Sequence, residues 1–320
     1  MGNSIEGSVA LVFPGQGAQV PGMGAELIEA GLSLSLLDVA RSGGVDLPRL
    51  LVEGTAEELR PTEVAQPALY YCGVALGLWL RDQGLDPGVA AGHSLGEYCA
   101  LVVAGALEAE EGMGLVLQRG RLMAGAPEGT MAAVLGLQLE SLQQICRDVS
   151  ADGTCCVVAN DNCPGQAVIS GSREGVALAS DRAREAGARR VVPLNVGGAF
   201  HSPLMEEAAR EFATVVDGIT IREPAFPVGA GAQGQMVSSA ADIRQGLREQ
   251  LQSPVRWTEL VRAMSMAGVT TFLECGPGNT LAALIRRTVE DVTVLPAASP
   301  AQAKAAIGLL RGGPALPGMA

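Results

Sequence analysis

Residues 9–13 form a short, β-rich apolar run that stops abruptly at Pro14-Gly15-Gln16-Gly17, and an amphipathic stretch with Met23, Leu27 and Ile28 follows. An apolar run closed by a glycine turn and resumed with helical spacing predicts strand, glycine loop, helix. Residues 67–81 are apolar nearly all round, as a buried helix would be. Residues 89–91 then predict a short buried strand, which leads through Gly92-His93-Ser94-Leu95-Gly96 into helical spacing over 97–107. Here again a strand turns sharply into a helix.

The rhythm changes from about Gly129. The pattern predicts strand 131–137, helix 139–149, strand 155–159, strand 166–170, helix 174–186 and strand 190–194. The order β-α-β-β-α-β is that of a ferredoxin-like unit, whose ends return close together and so allow insertion into a larger α/β domain. The expected division is a discontinuous large domain of residues 1–128 and 198–320, with residues 129–197 inserted. The large domain resumes near Val196 and includes an apolar strand over 270–274, before Cys275-Gly276-Pro277-Gly278. There is no internal repeat and no long linker, and the Pro- and Gly-rich tail 312–320 is expected to fray.

Length and composition fit this picture. With 320 residues, 48% hydrophobic and 18% charged, the chain is an ordinary globular protein rather than a disordered or fibrous one. At this size folding buries roughly three quarters of the unfolded surface, enough to shield an active site. A net charge of -12 and no basic tract argue against nucleic acid as a partner. The longest apolar run, 69–80, is cut by Gly73 and Gly77 and is too short for a bilayer. No basic residue precedes Arg41, as a secretory signal would need, and position six is Glu rather than the Ser or Thr of a myristoylation signal. A cytoplasmic protein is expected. The seven cysteines include no Cys-x-x-Cys pair and have two histidines beside them, so they read as buried apolar residues and no metal is expected.

The pentapeptide Gly92–Gly96 matches G-x-S-x-G, in which flanking glycines permit a strained strand-to-helix turn that lifts the serine hydroxyl clear of the backbone. Ser94 is thus the candidate nucleophile, and the helix N-terminus favours negative charge forming beside it. A serine hydroxyl needs a base, and the choice lies between His93 and His201. His93 adjoins Ser94 on the tight turn, so the two side chains diverge; a role in packing or hydrogen bonding beneath the turn suits it. His201, in the glycine-rich loop Gly197-Gly198-Ala199-Phe200-His201-Ser202-Pro203, is the better candidate. Acyl transfer also needs donors for an oxyanion. Leu95 N–H is one by the geometry of the turn, and Gln16, in a loop at the carboxyl end of the first strand, is placed to supply the second. No acid stands out as a third member: Asp161 and Glu274 qualify by order alone, and a backbone carbonyl can hold the imidazole equally well.

At this point a resemblance becomes specific. Pro14-Gly15-Gln16-Gly17-Ala18-Gln19, Gln66-Pro67-Ala68, Gly92-His93-Ser94-Leu95-Gly96-Glu97, Gln118-Arg119-Gly120, Asn160-Asp161-Asn162 with Pro164-Gly165-Gln166, Phe200-His201-Ser202, Gln250-Leu251 with Ser253-Pro254-Val255, and Gly276-Pro277-Gly278 run in the order of one family over about residues 9–288. Together they resemble the malonyl-CoA:acyl carrier protein transacylases. The resemblance implies an α/β-hydrolase-like large domain with a ferredoxin-like insert. It implies a Ser94–His201 dyad, the Gln250 backbone carbonyl orienting His201, and an oxyanion hole from the Gln16 and Leu95 amides. It implies that Arg119 grips the free carboxylate of a malonyl group, as a guanidinium fork can and Lys cannot. Phe200 looks like the bulky residue of malonyl-selective members, so malonyl is expected above methylmalonyl.

The implied reaction is ping-pong: malonyl-CoA acylates Ser94, and the phosphopantetheine thiol of an acyl carrier protein takes the acyl group, without metal or redox cofactor. The same dyad and clamp serve fatty acid and polyketide synthesis. A hydrolase of the same fold and a catalytically idle carrier-binding subunit are the rivals, against which Arg119 and the intact dyad count. A monomer is expected. Since the implied carrier protein and coenzyme A are both anionic, local basic residues must offset the net charge: Arg182, Arg184, Arg189, Arg190, Arg286 and Arg287 are the candidates. One Lys, Lys304, against 21 Arg marks a coding bias and no function.

Overall fold

The computed structural model describes residues 8–312, so nearly all of the tail expected to fray, and the first seven residues, lie outside the described residues. Among the described residues there are strands β1 (Ser8–Phe13), β2 (Val89–Gly92), β3 (Thr130–Leu135), β4 (Cys156–Cys163), β5 (Gln166–Gly171), β6 (Arg190–Pro193), β7 (Val228–Ala230), β8 (Gln235–Val237), β9 (Val255–Arg256), β10 (Val269–Cys275) and β11 (Thr293–Ala297). They make two sheets, ordered β11-β10-β1-β2-β7-β8 and β6-β3-β5-β4-β9.

The first sheet is parallel from β11 through β7, with β8 antiparallel at its edge. A parallel sheet is covered by helices on both faces, which is why β1 is apolar at every position from Val9 to Phe13 instead of alternating. Its side chains still divide by parity. Val9, Leu11 and Phe13 pack with the helices Thr62–Asp82, Gly96–Val103 and Ala109–Ala124, while Ala10 and Val12 pack with Trp257–Met266 and Thr280–Thr288. Phe13 and Gly92 are register partners, so the loops that leave β1 and β2 emerge side by side at the carboxyl edge, where α/β sheets place their sites.

The second sheet carries the helices Leu139–Ala151 and Arg173–Glu185 on one face, around a core of its own that includes Ala132, Val134, Leu142, Val149, Ile169 and Val176. Its strands β3, β5 and β4 run antiparallel, and β6 pairs antiparallel with β3. The two-residue strand β9, from outside residues 129–197, adds to β4 in parallel, an extension of the four strands expected. Six of the seven cysteines are buried, consistent with apolar packing.

Three predicted boundaries move by four residues or more, among them the end of the strand expected over 155–159, which runs to Cys163. The helix expected over 67–81 begins at Thr62, with Pro67 inside it. Burial of most of its length offsets the lost proline hydrogen bond. The helix expected over 97–107 ends at Val103, because Gly105 adopts a left-handed conformation (φ 75°) and the Ala106 amide folds back onto the Leu101 carbonyl.

Candidate active site

Ser94 stands between β2 and the helix Gly96–Val103 with φ 52°, in the left-handed region that L residues avoid. The chain can turn so tightly because its flanking residues are glycines. A Cβ on Gly92 would collide with the Gly96 and Glu97 backbone, and one on Gly96 with the Phe13 carbonyl. The turn presents Ser94 Oγ at 2.8 Å from His201 Nε2.

His201 also has a positive φ, 57°, and is 4% exposed. The segment 250–253 clasps it. The His201 amide donates to the Leu251 carbonyl, and Nδ1 lies 3.0 Å from both the Gln250 and the Ser253 carbonyl oxygens. A carbonyl only accepts, so Nδ1 carries the proton and Nε2 is left as the acceptor facing Ser94. The orienting partner is therefore a pair of backbone carbonyls. Neither acid considered for that place serves: both partners of Nδ1 are backbone carbonyls, and Glu274 accepts from the Leu281 and Ala282 amides at 2.9 and 2.8 Å and holds the start of the helix Thr280–Thr288. Burial, then the nearby Arg119 charge, pushes His201 down to about 3, so its imidazole is neutral in the empty site. His93 packs edge-on against Trp257 and bonds through Nε2 to Asn162 Oδ1 at 2.9 Å, beneath the turn.

Arg119, from the helix Ala109–Ala124, is 1% exposed. Its Nη2 donates to Ser94 Oγ at 2.9 Å, Nη1 to Gln66 Oε1 at 2.8 Å, and Nε and Nη2 to Gln250 Oε1 at 3.2 and 3.1 Å. The Tyr98 ring lies 5.6 Å from its guanidinium carbon. Every hydrogen-bond acceptor it has is neutral. A cation buried against neutral oxygens alone is uncompensated by direct contact, and a carboxylate arriving beside Ser94 would supply what is missing.

Gln250 does more than lend a carbonyl. Its Nε2 donates to the Ser94 carbonyl at 3.2 Å and to Glu97 Oε2 at 2.9 Å, which turns Oε1 toward Arg119. One residue thus fixes the base through its backbone and the cation through its side chain. The reading of the sequence assigned no role to Gln66, Glu97, Ser253 or the Gln250 side chain, although all four residues lie in the motifs quoted; their signal was polarity at positions that burial would make costly.

The amides of Gln16 and Leu95 take no acceptor among the described residues, and both residues line a cavity of about 100 Å³ with His93, Ser94, Arg119, Phe200 and His201. Gln16 is steadied by its side chain, which donates to Thr62 Oγ1 at 3.1 Å. Phe200 forms part of the wall beside the dyad. A second cavity of about 260 Å³ adjoins it past Gln16 and His93, between the loop after β1 and the Gln166–Val168 edge of the second sheet. The two cavities share Gln16, His93, Asn160 and Leu194 in their walls.

Of the proposed basic docking residues, Arg182 and Arg184 are paired with Asp152 and Asp181, and Arg286 and Arg287 donate to the Val294 carbonyl and to Gln166. Arg189 and Arg190 are exposed and, among the described residues, have no ion pair.

Known proteins resemble this chain over nearly its whole length. The acyl transferase domain family matches residues 10–315. The malonyl CoA-acyl carrier protein transacylase of Bacillus subtilis (strain 168) is 42% identical over 308 residues, 95% of this chain and 97% of that protein. The structure of the malonyl CoA-acyl carrier protein transacylase from Coxiella burnetii superposes with a TM-score of 0.90 at 39% identity, covering 96% of this chain and 98% of that one. A malonyl-transacylase solved in complex with a type II polyketide synthase acyl carrier protein gives 0.89 at 39% identity, over 96% and 100% of the two chains.

Proposed function

The chain belongs to the acyl transferase domain family, and from that premise we infer that it is a malonyl-CoA:acyl carrier protein transacylase. The observation that carries the malonyl assignment is Arg119, a buried guanidinium that touches the nucleophile and has neutral acceptors only. An enzyme for uncharged acyl groups would have no use for it, and neither would a hydrolase of such groups.

In the first half-reaction Ser94 Oγ attacks the thioester carbonyl of malonyl-CoA while its proton passes to His201 Nε2. The Gln16 and Leu95 amides receive the oxyanion, and Arg119 Nη2 stabilises the serine oxygen as charge develops. Collapse breaks the carbon–sulfur bond, and His201 returns the proton to the departing coenzyme A sulfur. Docking of the malonyl carboxylate on Arg119 offsets the charge that depresses His201, so the substrate makes its own base stronger. In the second half the phosphopantetheine thiol of the carrier protein gives its proton to His201 and attacks the malonyl ester; the carbon–oxygen bond breaks and His201 returns the proton to Ser94 Oγ. Serine, imidazole and amides account for every bond and proton, so the reaction calls for no metal or redox group. Both reactants are water-soluble, which suits an enzyme of the cytoplasm; no helix among the described residues is long and apolar enough to cross a membrane.

Residues 1–128 with 198–320 form the catalytic domain in this reading and 129–197 an inserted one. The second sheet supports that division, since four of its five strands come from the inserted range. The two cavities lie along their junction, and Arg189 and Arg190 at the edge strand β6 are the cations free to meet an acidic carrier. Steady-state kinetics with malonyl-CoA and a holo carrier protein test the assignment: parallel double-reciprocal lines and malonyl-carrier product are expected, whereas free malonate as the main product would favour the hydrolase.

A further inference from the structure

The acyl-transfer steps leave one acidic group of the cluster unused. Glu97, in the first turn of the helix Gly96–Val103, is 3% exposed. Its Oε2 accepts from Gly231 N–H at 3.1 Å and from Gln250 Nε2 at 2.9 Å, while Oε1 takes no donor among the described residues. Among the described residues no cation touches it. It reaches Arg119 only through the Gln250 amide, whose oxygen accepts from the guanidinium and whose nitrogen donates to Glu97. Arg119 on the neighbouring helix and Tyr98 on its own face it, with His201 beyond Gln250.

While the acyl site is empty, Glu97 is the counter-charge of Arg119 across one amide. A carboxylate docking on Arg119 gives the buried cluster two anions for one cation, which a low-dielectric interior penalises. One of them must then be neutralised. The incoming carboxylate holds the direct contacts to the guanidinium, so the proton belongs on Glu97, and Oε1 can carry it without breaking either hydrogen bond to Oε2.

We propose that Glu97 takes up one proton from solvent when the carboxylate of a malonyl group docks on Arg119, so that the cluster binds a dicarboxylic acyl group without a change in net charge. The inference rests on the transacylase reading above. Burial holds the Glu97 carboxyl up at about 7, against the downward pull of Gln250, Gly231 and Arg119, so it is part-ionised near neutral pH and a second anion moves it higher. The phenol of Tyr98 is pushed up and His201 down to about 3, so neither changes charge in that range. A neutral acyl group draws no proton.

Ser94→Ala protein binds without reacting, which removes the coenzyme A thiol from the proton count. Calorimetric titration with malonyl-CoA at pH 8, in buffers of different ionisation enthalpy, is expected to show uptake approaching one proton, and affinity weakening by up to about tenfold per pH unit between about pH 7 and 9. Acetyl-CoA takes up none, and in the Ser94→Ala, Glu97→Gln double variant both the uptake and the pH slope for malonyl-CoA disappear. Binding without uptake overturns the inference alone, as does uptake that survives Glu97→Gln. Should the double variant not fold, equal uptake with malonyl-CoA and acetyl-CoA overturns it. No binding of malonyl-CoA overturns the transacylase reading, and this inference with it.

Discussion

Arg119 shows what a single side chain decides here. Two charge-assisted hydrogen bonds to a carboxylate contribute about 1.5–3 kcal/mol each, so Arg119→Ala is expected to lower kcat/KM for malonyl-CoA by about 10²–10⁴-fold and to lower weak acetyl transfer by much less, through the lost contact to Ser94 Oγ alone. Arg119→Lys recovers only part, because a point charge cannot span both oxygens. Phe200→Ala opens the wall beside the dyad. Since one methyl is worth about 1–3 kcal/mol, competition between malonyl-CoA and methylmalonyl-CoA should shift by about 10-fold or more toward the branched donor. His201 bears on pH. Its folded-state value of about 3 lies below the ordinary imidazole value, so the unfolded chain binds the extra proton and stability is lost as pH falls from about 6.5 toward 3. Acylation should accordingly keep its rate through pH 6.5 and below, which a stopped-flow pH series checks. The pairing of Ser94 with His201 was legible from residue type and motif, whereas the place of Arg119 beside them followed from the family resemblance alone. The Gln250 side chain and Glu97 were not, because their roles arise from contacts across 131 and 153 residues that no local pattern encodes.

Among the elements, the strand-to-helix turn and the helix Thr280–Thr288 hold the site by different means. At the turn the constraint is space. Gly96→Ala would drive a methyl into the Phe13 carbonyl, and a stability loss of at least about 2 kcal/mol by chemical denaturation is expected, with activity lost alongside. At the helix it is charge. Glu274 meets two amides of the first turn from the end of β10, and Glu274→Ala leaves both buried and unpartnered at a cost of about 2–4 kcal/mol, which Glu274→Gln halves by keeping one acceptor. The continuous apolar run of β1 was readable because parallel burial leaves that trace. The start of the helix Thr62–Asp82 was not, because Pro67 signals a boundary locally and only tertiary burial overrides it. Reading Glu274 as a candidate for orienting His201 rested on chain order, which says nothing of which helix a carboxylate faces.

For the whole molecule, the arrangement of two sheets with the dyad near their junction could be inferred from the change of rhythm near residue 129, since β-α-β-β-α-β order survives small errors in each boundary. Strand β9 escaped because two residues carry no periodicity. Charge acts on this scale too. A net charge of -12 repels an acidic carrier protein at long range, so the proposed docking relies on the local cations Arg189 and Arg190. Reversal of both to Glu is expected to raise KM for the carrier protein about tenfold or more while malonylation of Ser94 by malonyl-CoA stays intact, and equal loss of both activities would count against this docking surface. Added salt should weaken carrier use in the wild type and much less in the variant.

The most direct test of the Ser94 nucleophile and the Arg119 clamp is intact mass spectrometry after mixing with malonyl-CoA, in the absence of carrier protein. The wild type should gain one malonyl group; Ser94→Ala should gain none and Arg119→Ala far less. A malonyl adduct that persists in Ser94→Ala, or that forms as readily without Arg119, would contradict the account.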